Sequence, residues 1–373
     1  MHDKKTDLLF YLSPIFLILS ILIQWNIKDY CSYDSQYYFN FAKKLPIISD
    51  SLYPIFYPVL LRITNLFFDN YLISYKVLTI FSFGFSFFIV KYNNFFWREF
   101  WCLLSFTSFF KLAPWAWSEI IMIPLLLVYL LVNYQILTSK HQNNKILIVI
   151  NIFILLIMVT TKYSSLFIIA SILPFCLYLF IKKNKEKAKD YLLIFFSSFM
   201  LAIMYLLLNK LNTGELMGVR LAPDFGGKFN LRLSLSFILF NLNPFFHGKQ
   251  SNLLGFITFG WQIAYITSIL LTIILFYLIK KSLLTGYNHE MVVFCLISSL
   301  IVLGLTIYSY LTTRIDLLDF RLLLPFYFFF FSSVIFSIQS YKAPRNVILI
   351  IILSLSIIIN FFSIITSHYS LNP

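Results

Sequence analysis

The sequence predicts an all-α polytopic membrane protein, and three observations carry that reading. Of 373 residues, 60% are hydrophobic and 12% charged, and the mean hydropathy is +0.83. Soluble domains run near about 45–50% apolar and about 25% charged. The apolar residues also fall in blocks, most long enough for a helix to cross about 30 Å of hydrocarbon in roughly 20 residues. Lys and Arg gather in the short segments between those blocks. The chain reads as one integral-membrane domain over 1–373, with about eleven spans in a range of 9–12.

The expected spans lie near 8–23, 76–90, 98–112, 118–137, 146–161, 163–181, 191–209, 259–280, 290–311, 320–338 and 347–366. The first follows Met1-His2-Asp3-Lys4-Lys5 and has no small-residue cleavage site after it, so it reads as a retained span rather than a signal peptide. Between 24 and 75 lies a segment that does not span. Within it, Tyr37 to Leu45 is too rich in aromatics for a free loop and reads as a short interfacial helix that Pro46 ends. Tyr53-Pro54-Ile55-Phe56-Tyr57-Pro58 makes a stiff aromatic turn, and Val59 to Phe68 a second half-buried helix. The segment 210–258, with Gly214, Gly218, Gly226 and Gly227, is too irregular to span and reads as a second large loop.

Orientation follows from short basic loops, which face the cytoplasm. Lys140 to Lys145, the run Lys182 to Lys189, Lys280-Lys281 and Lys342 to Arg345 then fall inside. The outer side receives 24–75 and 210–258 together with the turns 111–117 and 312–319. With that topology Asp34, Glu119, Lys162, Arg220, Asp224, His247, Arg314, Asp316, Asp319 and Arg321 all lie at or near the outer face. Glu119 and Lys162 sit at span ends, where a charge is costly.

The net charge of +14 is spread over loops rather than clustered in a soluble patch, which argues against nucleic acid as a partner. Cys102, Cys176 and Cys295 lie in or beside apolar runs, with Cys31 alone near a surface loop, so no disulfide framework is expected. No Cys or His spacing suggests a metal site.

Asp34 is the most informative residue. It is a lone carboxylate in Ser32-Tyr33-Asp34-Ser35-Gln36-Tyr37-Tyr38, directly after the first apolar run, and it suggests chemistry at the bilayer edge. A solvated loop acid or a helix cap is the plainer alternative. The order of a short tail, one span, Tyr-Asp-x-x-Tyr-Tyr and a Tyr-Pro turn resembles the GT-C superfamily, multi-span glycosyltransferases that use polyprenyl-phosphate sugars. Three further segments match in order: Trp117-Ser118-Glu119 opening a span, Thr160-Thr161-Lys162-Tyr163-Ser164 between two middle spans, and Leu318 to Pro325 with Arg321 late in the chain. Gly214 to Arg220 is similar to a Gly-rich stretch of some bacterial members. Each motif alone is weak, and the resemblance rests on their order over roughly 8–330.

The resemblance implies an inverting membrane glycosyltransferase at the outer face of the inner (plasma) membrane. It would carry a sugar from a polyprenyl-phosphate carrier to a glycolipid, glycan or protein acceptor of the cell envelope, lipopolysaccharide among them. Asp34 would be the general base that takes the proton of the attacking hydroxyl. Glu119 would bind acceptor, orient Asp34 or join it on a divalent ion, unless it is only a helix-start carboxylate capped by Ser118. The donor phosphate needs cations, for which Lys162, Arg220, Arg321 and His247 are the candidates. Snorkelling to lipid head groups is the alternative for each arginine and lysine. Tyr33, Tyr37, Tyr38, Tyr57 and Trp117 are expected to line the substrate. Many family members carry a second acid next to the first, where this chain has Ser35, a departure that weakens a paired-acid metal site. Two rivals remain: an O-antigen polymerase or ligase, built on arginines and a late His, and a lipid-linked-glycan transporter, which predicts mid-span charges and two related halves.

Overall fold

A computed structural model describes residues 2–27, 31–48, 51–139, 144–218, 238–239, 242–243, 260–285, 288–313, 321–338 and 345–369. Its helices, in chain order, are α1 (His2–Ile27), α2 (Tyr33–Lys44), α3 (Phe56–Phe68), α4 (Tyr71–Tyr92), α5 (Trp97–Leu104), α6 (Thr107–Phe110) and α7 (Glu119–Thr138). There follow α8 (Asn144–Thr161), α9 (Ser165–Ile181), α10 (Lys185–Thr213), α11 (Gly260–Thr285), α12 (His289–Thr313), α13 (Leu324–Ile338) and α14 (Arg345–Tyr369). No strand occurs among the described residues. The protein is an all-α polytopic membrane protein: seven of these helices have at least 18 residues and the apolar content to cross a bilayer.

Two helices form the centre. Every residue of α13 from Leu324 to Ser337 is buried, and 72% of the apolar stretch of α7 is buried against 22% for α10 and for α11. The outer helices therefore turn most of their surface to lipid. Helix α13 packs on α12 and α11, α9 packs on α10 and α12, and α7 packs on α8 and α4. On the other flank α1 packs on α14, and α2 lies on α3, which lies on α4. Helices in lipid gain little from the hydrophobic effect between themselves, so polar groups inside must find partners across the interface. Tyr191 of α10 accordingly donates to Asn133 of α7 at 2.8 Å, and the hydroxyls of Ser171 and Ser298 meet at 3.0 Å between α9 and α12.

The segment 24–75 folds as expected into short helices rather than a span. Ser32 and Ser35 cap α2 reciprocally: the Ser32 hydroxyl accepts from the Ser35 amide and the Ser35 hydroxyl from the Ser32 amide. Leu45 turns extended ahead of Pro46, which stops the helix. The expected span at 98–112 is corrected. It is two helices of 8 and 4 residues, and 8 residues rise only about 12 Å. The break falls at Ser105, whose hydroxyl bonds back to the Cys102 carbonyl at 2.7 Å. Asn360 of α14 then takes the Ser105 carbonyl at 2.8 Å, replacing the bond a continuing helix would make. The spans expected at 163–181 and 320–338 correspond to shorter helices of 17 and 15 residues.

The molecule has two chemically different ends. Helix α7 starts at Glu119 and finishes where the Lys187 ammonium donates to the Leu137 carbonyl. Twenty residues place those points about 30 Å apart. Likewise α9 begins just after Lys162 and ends at Lys182. Cysteines at Tyr33 and Lys183, introduced in a Cys31→Ser background, should therefore react from opposite sides of sealed vesicles with a membrane-impermeant thiol reagent. Labelling of both from one side contradicts the packing.

Candidate functional site

Four segments far apart in sequence deliver one charge each to the end of the bundle opposite the Lys182 to Lys189 run. Asp34 lies in the first turn of α2, where the helix dipole favours an acid. Glu119 is the first residue of α7, Lys162 stands between α8 and α9, and Arg321 precedes α13. Asp34 and Arg321 form a salt bridge between Oδ2 and a terminal guanidinium nitrogen, with side chains 17% and 12% exposed. The Lys162 ammonium lies 2.5 Å from Glu119 Oε1, with side chains 14% and 6% exposed. The pairs are joined, because Arg321 Nε is 3.9 Å from Glu119 Oε1 and Lys162 donates to the Arg321 carbonyl at 3.2 Å. Two acids and two cations thus neutralise one another.

Tyrosine and tryptophan frame this quartet. Tyr53 donates its hydroxyl to Asp34 Oδ1 at 2.6 Å. The Trp117 ring lies under the Arg321 guanidinium at 4.9 Å, stacks on Trp115 at 4.7 Å, and donates its indole N–H to the Ser32 hydroxyl at 2.7 Å. Ser118 donates to Glu119 Oε2 at 3.3 Å, so the Tyr38 hydroxyl, 3.0 Å from Ser118, is the donor to it. Burial pushes the Tyr38 hydroxyl well above its ordinary range, and the Glu119 carboxylate adds to the shift. Tyr38 is consequently a neutral, fixed donor.

The turn that carries Tyr53 is pinned from three sides. Tyr163 donates to the Ser51 carbonyl at 2.6 Å, and Asn209 of α10 donates to Tyr163 at 2.9 Å. The Ile55 amide donates to Tyr205 of α10 at 3.2 Å. Gly218, at φ +64°, lies so close that a Cβ there would sit 2.7 Å from the backbone of Leu52. Glycine is required on both counts.

Of the residues singled out in the sequence, Asp34, Glu119, Lys162, Arg321 and Trp117 come together. Tyr33 is 71% exposed and shares a 2.9 Å hydroxyl contact with the half-buried Tyr37, so this pair faces outward. Tyr38 and Tyr57 are buried, their rings 4.9 Å apart, and they form the packing beneath the site rather than an open lining. Arg220, His247, Asp224, Arg314, Asp316 and Asp319 lie outside the described residues. Tyr53 and Ser32 were not picked out as site residues, although the Tyr-Pro turn is where Tyr53 stands. Ser35, which follows Asp34, is buried and spent on the helix cap.

A divalent ion does not fit the quartet. Asp34 and Glu119 are each already matched by a cation, so the donor set carries no net negative charge, and a metal needs more oxygens than two engaged carboxylates offer. Among the described residues no three His, Cys, Asp or Glu side chains cluster. What the arrangement can do is hold an anion with Arg321 and Lys162 beside a carboxylate able to accept a proton. Comparison of the chain with protein-family models, with curated proteins and with solved structures finds no match.

Breaking either pair leaves a charge without its partner in a largely dry site. Lys162→Met should lower stability by about 3–5 kcal/mol, read as the unfolding free energy in detergent. Adding Glu119→Gln to Lys162→Met should recover most of that loss, and no recovery contradicts the pairing.

Proposed function

We propose that this protein is a membrane glycosyltransferase of the GT-C type that takes its sugar from a polyprenyl-phosphate carrier at the outer face of the plasma membrane. One observation carries the reading. Asp34, Glu119, Lys162 and Arg321, each flagged by its own motif, meet in one ion cluster although 287 positions separate Asp34 from Arg321. Chance motif matches have no reason to converge.

In this reading Asp34 is the general base. The acceptor hydroxyl attacks the anomeric carbon from the face opposite the phosphate, its proton passes to Asp34, and the polyprenyl phosphate leaves, giving inversion. Charge grows on the leaving phosphate as the glycosidic bond breaks. Arg321, forked and fixed over Trp117, and Lys162, a point charge, are placed to stabilise it. Glu119 holds Lys162 in position. Exposed Tyr33, set edge-on against half-buried Tyr37, offers an aromatic face on which an acceptor sugar can stack. The lipid bilayer is the second partner, since the polyprenyl tail must lie along the apolar flanks.

The polarity of the bundle supports the direction of the active face. The quartet lies at the end opposite the basic Lys182 to Lys189 run, and short basic loops face the cytoplasm. A transporter of lipid-linked glycans would carry its charges in mid-membrane, and here they sit at helix starts. Asp34→Asn keeps the shape of the side chain and removes the base. With a panel of undecaprenyl-phosphate-linked hexoses and pentoses in native membranes, it should cut transfer about 10²–10⁴-fold. Full transfer by Asp34→Asn refutes the base assignment.

A further inference from the structure

We infer that the protein binds a phosphate ester at the end of the bundle opposite the quartet, in a cavity of about 650 Å³ between the ends of α7, α9 and α11 and the start of α12. The inference does not depend on the glycosyltransferase reading. It rests on the cavity, on the charges along its wall and on the hydrogen-bonding groups left over there.

The cavity has the size that holds a small ligand or a head group. Leu137, Leu283 and Met291 give it an apolar side, and Lys182 with the first residues of α12 a polar one. The wall has a sign. Glu290, the acid among the described lining residues, is already committed: Asn184 donates to Oε1 at 3.0 Å and Lys187 to Oε2 at 2.9 Å. Lys182 is exposed at the end of α9 and enters no ion pair among the described residues. A spare positive charge therefore remains. The helix ends agree with it. The Leu137 carbonyl of α7 accepts from Lys187, and the Tyr178, Leu179 and Phe180 carbonyls of α9 accept from backbone amides at 3.0 Å, so these ends offer little to a cation. Helix α12 instead begins at the wall, and a helix start presents amide N–H groups that no carbonyl of its own reaches.

Two further donors are left over. Asn288 Nδ2 and His289 Nδ1 are shielded from water and have no hydrogen-bond partner. Such groups are costly to leave unmet. Both side chains are only half-buried, and the His289 ring lies against Tyr178 at 6.1 Å. A small rotation about χ2 turns either nitrogen to the cavity. A phosphate ester has enough oxygens to accept from both while it meets the Lys182 ammonium, whereas a carboxylate has two oxygens for three groups. Two sources supply that chemistry: an anionic phospholipid of the leaflet at this end, or a soluble phosphate ester. The flanks favour the lipid. Ile181, next to Lys182, is 78% exposed, and Leu284, next to Leu283, is 80% exposed, which gives acyl chains an apolar shoulder on each side.

The test is native mass spectrometry of the purified full-length protein in a phosphate-free detergent, titrated with dioleoylphosphatidylglycerol, with dioleoylglycerol or with ATP. Each bound molecule is counted, so loss of one site is read apart from any other. Lys182→Gln and His289→Leu should each weaken one phosphatidylglycerol site about tenfold. Lys183→Gln, in the same basic run but outside the lining, should stay within about twofold of the wild type. Thr138→Trp, which fills the cavity from its exposed rim and leaves the charges alone, should weaken the same site and serves if His289→Leu does not extract as folded protein. The same pattern with ATP in place of phosphatidylglycerol supports the site and makes its ligand soluble. Equal losses from Lys183→Gln and Lys182→Gln mean adhesion to the basic run and overturn the inference. It is overturned too if Thr138→Trp binds as the wild type does, if dioleoylglycerol binds as tightly as phosphatidylglycerol, or if neither phosphate ester binds.

Discussion

An unpaired charge at the dry edge of a helix bundle is among the most expensive features a membrane protein can carry. Among the described residues four meet there in two pairs, Asp34 with Arg321 and Glu119 with Lys162. That requirement ties the α2 segment to α7, α7 to the α8–α9 junction, and both to the turn before α13. The quartet is thus a structural clasp as well as a candidate site. Any ligand that binds there must offer charge of its own to replace a broken pair.

Uncharged side chains hold the clasp in place. The capping box of Ser32 and Ser35 fixes the first turn of α2, and with it the direction of Asp34. Trp117 links that cap to the floor under Arg321, and Tyr38 reaches through Ser118 to Glu119. These contacts hold the charges without adding any. The opposite end of the bundle is built on another principle: Lys182 to Lys189 includes exposed lysines, with Lys187 paired to Glu290 at 2.9 Å. Such a loop is suited to sit among lipid head groups and to set orientation.

Much of the fold was legible in the sequence because long apolar blocks and basic punctuation are global signals. The 98–112 block was misread as a span for a local reason. Its hydrophobicity is that of buried packing, and the helix breaks where Asn360 donates to the Ser105 carbonyl, a contact 255 residues apart that no window can see. The charged members of the site were legible for a different reason: a charge at a span end is rare enough to be noticed. Tyr53 was hidden among many tyrosines, and its role appears only when the α8–α9 junction and α10 pin its turn against Asp34. Tyr57 shows the opposite error, since an aromatic in a motif reads the same whether it lines a site or, as here, packs fully buried beneath one.

The central claim is that Arg321 and Lys162 form a phosphate site next to Asp34. The most direct measurement is a cryo-EM structure of the full-length protein in lipid nanodiscs with undecaprenyl phosphate. The account predicts phosphate density within hydrogen-bonding distance of both Arg321 and Lys162. Phosphate density among Lys182 to Lys189 with the quartet intact would contradict it.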